Sequence, residues 1–165
     1  MGIPLKIAAK VDRADRRYFK NEIEPLLNDP HIEWHGEISD KDKGEFLGNA
    51  YALLFPIDWP EPFGLVMIES MACGTPVIAY DCGSVPEVME DGVTGFIVRD
   101  LDDAVKGVNR IRDLSRSRCR EVFERRFAAE RMASDYVDIY MRLIDGDVQA
   151  TRTDLSTSPD ALVSA

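Results

Sequence analysis

The sequence predicts an α/β fold of the doubly wound, Rossmann-like kind: parallel strands flanked by helices, followed by a helical C-terminal part. Three observations carry that expectation. Short apolar runs of strand length alternate with segments of helical spacing from residue 5 to residue 98. Two of those runs, "YALLFPI" (51–57) and "PVIAY" (76–80), are apolar throughout, as strands covered on both faces are. Beyond residue 101 only helical spacing remains. Parallel strands need long crossover connections, and helices are what usually supply them.

The elements follow in order. "LKIAA" (5–9) is a short strand, and residues 13–27 then space Tyr18, Ile23, Leu26 and Leu27 as a helix would. "HIEWHG" (31–36) alternates like a strand, and Ser39 or Asp40 is a candidate N-cap for a helix over 39–50. The apolar run 51–57 is the next strand, and residues 63–74 form a helix stopped by Gly74. A strand at 76–80, a short helix at 85–91, and a turn into a strand over 92–98 complete the alternation. Helices are expected at 101–113, 115–126 and 129–144. Residues 146–165 show no apolar period and read as a flexible tail beyond a single domain of residues 1–145.

Composition narrows the function classes. A chain of 165 residues, 45% hydrophobic and 30% charged, fits one globular domain. No apolar run reaches the roughly 20 residues of a membrane span, and the N-terminus lacks the apolar core of a signal peptide, so a cytoplasmic location is expected. A net charge of -10 argues against nucleic acid as a partner, because phosphate contacts need clustered Lys and Arg. Cys73, Cys82 and Cys119 form no C-x-x-C pair and are expected as buried reduced thiols. No G-x-G-x-x-G follows a strand, which disfavours a dehydrogenase. His31 and His35 would stand about 13 Å apart on one strand, too far to share a metal.

The chemistry concentrates in "PIDWPEPFGLVMIE" (56–69). Ligands of open α/β sheets bind beyond the carboxyl ends of the strands, and this loop joins such an end to a helix. Pro60 and Pro62 stiffen it before the helix begins near Gly64. The first turn of a helix leaves N–H groups without partners and its dipole favours an anion, so the amides of Gly64, Leu65 and Val66 could hold a phosphate. Gly64, without a Cβ, would let that phosphate approach closely. Glu61 precedes the helix and Glu69 lies in its second turn, so both could face one cleft and accept hydrogen bonds from sugar hydroxyls. The plain alternatives are a solvated loop residue and a helix-surface charge. Trp59 could border the sugar.

"EPFGLVMIE" with the following "SMACGTPVIAYDCGSVPEVMEDGVTGFIV" closely resembles the donor-binding domain of the family 4 retaining glycosyltransferases, the group 1 glycosyl transferases. That family has the two-domain B-type fold. Seven residues separate Glu61 from Glu69, as in the family's glutamate pair, and the likeness runs over about residues 4–144. The resemblance implies binding of a nucleotide-diphosphate sugar and transfer of the sugar with retention of anomeric configuration. Glu61 would be the catalytic-site carboxylate touching the donor sugar, and Glu69 would hold the ribose hydroxyls. Phe63 shares the turn with Gly64, and the Gly64, Leu65 and Val66 amides would meet the diphosphate. Gly36, Glu37 and Ile38, from "HGEI", would line the base pocket. No cofactor or metal is implied. "DLDD" (100–103) contains a D-x-D and is read instead as a helix cap.

The pattern also departs from the family. The family's donor domain normally opens with a further strand, loop and helix carrying an Arg and a Lys for the diphosphate, and the N-terminal acceptor domain has no counterpart here. Lys10 is the only basic residue near the end of the first strand. The chain is therefore expected to be an N-terminally truncated donor half, inactive or nearly so alone. The alternative is a non-catalytic nucleotide-sugar binding subunit completed by a separate acceptor-domain polypeptide. "LKIAA" would be the family's second strand and "ALLFPI" its fourth, so the sheet would lack its central strand. Marginal stability, homo-oligomers formed through an open sheet edge, or direct pairing of residues 5–9 with 52–56 would follow.

Overall fold

A computed structural model describes residues 2–145, in two compact units, Met1–Ala50 and Tyr51–Ala165. The expected tail over 146–165 lies outside the described residues. The fold is α/β, and every strand pair is parallel.

The first unit contains strands β1 (Leu5–Ala8) and β2 (Ile32–Gly36), paired with Leu5 opposite Ile32 and Ile7 opposite Trp34. The crossover between them is not the single helix expected over 13–27. It is a short α1 (Arg16–Tyr18), a π-helical turn (Phe19–Ile23) and a 3-10 turn (Glu24–Asn28). Pro25 is the reason, since it has no N–H to donate and its ring crowds the preceding turn. Phe19 still packs on Trp34, ring centroids 5.0 Å apart. Helix α2 (Asp40–Gly48) follows, and Phe46 meets His35 edge-on at 5.4 Å. Leu47 is the only fully buried residue described in this unit.

The second unit holds a three-stranded sheet of β3 (Leu53–Phe55), β4 (Val77–Tyr80) and β5 (Gly95–Val98) in the order β3-β4-β5. Strand β3 is shorter than the apolar run 51–57 because Pro56 cannot donate to the ladder. Among the described residues the strands form two sheets, β1-β2 in the first unit and β3-β4-β5 in the second. Among the described residues β1 and β3 each pair with one strand only.

The central strand β4 is buried on both faces. Val77 and Ala79 join Phe55, Met67, Met71 and Val85 in one core cluster, while Ile78 joins Phe96, Val98 and Ile111 in another. That alternation is the two-residue period of a strand. Helices α3 (Leu65–Ala72) and α4 (Val85–Val88) contribute to the first cluster; the second lies under α5 (Leu101–Arg110). Helix α3 ends in a Schellman motif: Thr75 N–H donates to Ser70 O and Gly74 N–H to Met71 O, both at 2.9 Å. Gly74, at φ +69°, is the left-handed residue this motif needs. Helices α6 (Arg116–Phe127) and α7 (Ala129–Ile144) are the last described elements, and α7 leaves Met132, Tyr136, Tyr140 and Ile144 more than half exposed.

Candidate functional site

The loop from β3 to α3 is held by backbone contacts rather than by regular structure. Glu61 N–H donates to Trp59 O at 2.7 Å, and Glu61 O accepts from Ser84 N–H at 3.0 Å. Ser84 opens α4, so the loop after β4 fastens the loop after β3. The two backbones can meet because residue 83 is glycine: a Cβ there would stand 2.6 Å from both Glu61 N and Glu61 O. The Glu61 side chain is half-buried, and Trp59 Nε1 approaches its Oε2 at 3.4 Å. Trp59 itself is 56% exposed.

Gly64 is the N-cap of α3 with φ +71°, a left-handed conformation that costs a residue with a Cβ about 1–2 kcal/mol. The sequence suggested glycine there for phosphate access. The structure gives a different reason, because an added Cβ would stand 2.6 Å from Met67 Cε and 3.1 Å from Phe55 Cζ, inside the core. Gly64 O accepts from Met67 N–H at 2.9 Å. The N–H groups of Gly64, Leu65 and Val66 meet no protein acceptor among the described residues. Glu61 O, the helical acceptor Leu65 would otherwise use, is taken by Ser84. Open amides at a helix start are an anion site by geometry and by dipole. Glu69 lies half-buried in the second turn, and Phe63 is 40% exposed before the cap.

Gly36, Glu37 and Ile38 belong to the first unit, at the carboxyl end of β2. Gly36 has φ +68°, so a left-handed turn leads out of the strand; Glu37 is exposed and Ile38 half-buried. Lys10 is engaged locally, with Nζ 2.9 Å from Asp12 Oδ1, and that hydrogen bond raises its pKa. His31 pairs with Asp29 and His35 with Glu33. Asp100 caps α5 as the sequence suggested, its Oδ1 accepting from Asp103 N–H at 2.8 Å. The Lys106 ammonium beside Asp103 then holds that carboxyl below the usual range. Of the three thiols, Cys119 is buried, while Cys73 and Cys82 are only half-buried.

Sequence reasoning missed a second feature. A cavity of about 540 Å³, lined by Asp58, Tyr80, Asp81, Cys82, Arg99 and Asp100, opens beyond the carboxyl ends of β4 and β5. Its one findable signal was position, since each of these residues ends an apolar run or closely follows one. It does not include Glu61, Gly64 or Glu69.

Parallel strands, a fastened strand-to-helix loop and a helix start with open amides define an α/β domain with a candidate ligand site at the carboxyl ends of its strands. The chain belongs to the group 1 glycosyl transferases, whose family model matches residues 3–126. It is 33% identical over 94 residues to the phosphatidyl-myo-inositol mannosyltransferase of Mycobacterium leprae, covering 57% of this chain and 25% of that protein. It is 35% identical over 118 residues to an uncharacterized 41.2 kDa protein in the cps region of Klebsiella pneumoniae, covering 67% of this chain and 32% of that protein. The chain thus spans about a third or less of these relatives. Among solved structures, sucrose-phosphate synthase from Thermosynechococcus elongatus superposes with a TM-score of 0.72 at 26% identity, over 86% of this chain and 39% of that one. Anabaena HepE, solved in complex with UDP and glucose, shares the fold at a TM-score of 0.73 and 21% identity, over 84% of this chain and 40% of that one. No described helix is long and apolar enough to cross a membrane.

Proposed function

We propose that this chain is the donor-binding half of a glycosyltransferase, taking a nucleotide-diphosphate sugar for transfer with retention of configuration. The observation that carries it is the trio of open amides at Gly64, Leu65 and Val66, between Glu61 and Glu69 in a chain of this family. The amides would donate hydrogen bonds to the diphosphate, and the dipole of α3 would stabilise the charge that develops as the sugar leaves. Glu61 would accept hydrogen bonds from the sugar hydroxyls, and Glu69 from the ribose. The charge-stabilising role falls to backbone donors, so the proposal assigns no metal and no cofactor. Three free thiols suit a reducing, cytoplasmic setting.

The acceptor-binding half would come from further polypeptide, and the 165-residue chain alone would bind donor without appreciable transfer. A second reading, which the open amides fit equally, is a non-catalytic nucleotide-sugar binding subunit completed by a separate acceptor-domain chain. Calorimetric titration with UDP-, GDP- and ADP-sugars tests the shared core of both readings. One of the three is expected to bind, with Glu69→Ala weakening it; a folded chain that binds none of them refutes the proposal.

A further inference from the structure

The Glu61–Gly64 turn is held a second time, from the far side of α4. Phe63 meets Phe127 edge-on, ring centroids 6.4 Å apart and planes at 80°. Phe127 is the last residue of α6 and packs against the core cluster that contains Met67 and Phe55. The Arg126 guanidinium lies over the Phe127 ring, 4.9 Å from its centroid. Its Nη1 donates to Val88 O at 3.2 Å and its Nη2 to Glu87 O. Those are among the last carbonyls of α4, which lack N–H donors within the helix and favour a cation. The other end of α4 begins at Ser84, whose N–H donates to Glu61 O. The contacts therefore close a circuit: Glu61 to Ser84, along α4 to Arg126, across to Phe127, and back through Phe63 to the turn.

We propose that Arg126 and Phe127 are positioning residues for the candidate donor turn, fixing Phe63 and hence the direction of the Gly64–Val66 amides, although they lie far from that turn in sequence. This rests on the reading of residues 61–69 as the donor site. The role proposed for both residues acts through Phe63 and assigns them no contact with the ligand. A guanidinium that stacks on a ring and donates a two-pronged bond to carbonyls is not replaced by an ammonium. Glu90 adds charge balance, its Oε1 3.5 Å from Arg126 Nη1 and 2.6 Å from Arg125 Nη2.

The test compares Phe127→Ala, Phe127→Tyr and Arg126→Lys with Val122→Ala in the full chain. Val122 is fully buried on the same helix, so its truncation reports general destabilisation. Two readouts are taken well below the melting midpoint of every variant. The first is affinity for UDP-, GDP- and ADP-glucose. Phe127→Ala and Arg126→Lys should each lose about two- to tenfold, the range of one aromatic contact, while Phe127→Tyr and Val122→Ala keep wild-type affinity. The second is hydrogen exchange at the Ser84 and Met67 amides, which bond to Glu61 O and Gly64 O and need no ligand. It should accelerate in Phe127→Ala beyond what Val122→Ala shows. Equal exchange in those two variants overturns the proposal, as does unchanged affinity in Phe127→Ala where the wild type binds. A wild type that binds no nucleotide sugar refutes the donor-site reading instead, and exchange still decides whether these residues hold the turn.

Discussion

Replacing Gly64 by alanine tests the turn at its most constrained point. Two costs add. A Cβ in the left-handed region costs about 1–2 kcal/mol. The new methyl would also stand 2.6 Å from Met67 Cε and 3.1 Å from Phe55 Cζ, and both side chains are buried, at 0% and 6% exposure. The Met67 methyl can swing away, the Phe55 ring less readily, and overpacking of this kind costs about 1–3 kcal/mol. The expected loss is therefore about 2–5 kcal/mol, a large part of the 5–15 typical of a domain. Urea denaturation would measure it, with Gly44→Ala as the opposite control. Gly44 lies inside α2 with nothing within 4 Å of an added Cβ, so that change should stabilise by about 0.5–1 kcal/mol. Because the added methyl faces the core, binding of a nucleoside and of its diphosphate should fall together. Stability of Gly64→Ala within about 0.5 kcal/mol of wild type would refute the left-handed cap.

Four further outcomes follow from the same structure. Glu69→Ala should weaken nucleotide binding by about 1.5–3 kcal/mol for each charged hydrogen bond lost, measured by calorimetry. Asp100→Ala removes the cap on Asp103 N–H and should cost about 1 kcal/mol in a denaturation experiment, with nucleotide affinity unchanged. Burial pushes the Cys119 thiol up, so less thiolate is present at any given pH. Alkylation of the folded chain should modify Cys73 and Cys82 and reach Cys119 only on unfolding; a Cys119 adduct on the native chain would contradict its burial. Strands β1 and β3 each pair on one side only among the described residues, which predicts concentration-dependent association in sedimentation; a strict monomer at every concentration would count against it.

The alternation of strands and helices was legible because parallel strands buried on both faces leave uninterrupted apolar runs, as at 76–80. Helix ends were legible where glycine marks them, at Gly64 and Gly74, and where an aspartate caps, at Asp100. The broken crossover after β1 was harder to read: helical spacing of Tyr18, Ile23 and Leu26 persists through the region, while Pro25 changes the hydrogen bonding underneath it. The loop and its two glutamates stood out by residue type and position. What holds the loop did not. Contact of Gly83 with the Glu61 backbone, and of Phe127 with Phe63, joins residues far apart in sequence, and no local period encodes such a pairing. The reason for glycine at 64 was also hidden, since only the packed positions of Met67 and Phe55 show where its missing side chain would point.

The most direct measurement is an amide chemical-shift map of the isotope-labelled chain titrated with UDP, GDP and ADP. Binding of one of them should shift the amides of Gly64, Leu65 and Val66 most, with Glu69 next, and Glu69→Ala should remove the response. Shifts confined to Asp58, Asp81 and Arg99 around the neighbouring cavity, or none with any nucleotide, would contradict the assignment of the α3 start as the diphosphate site.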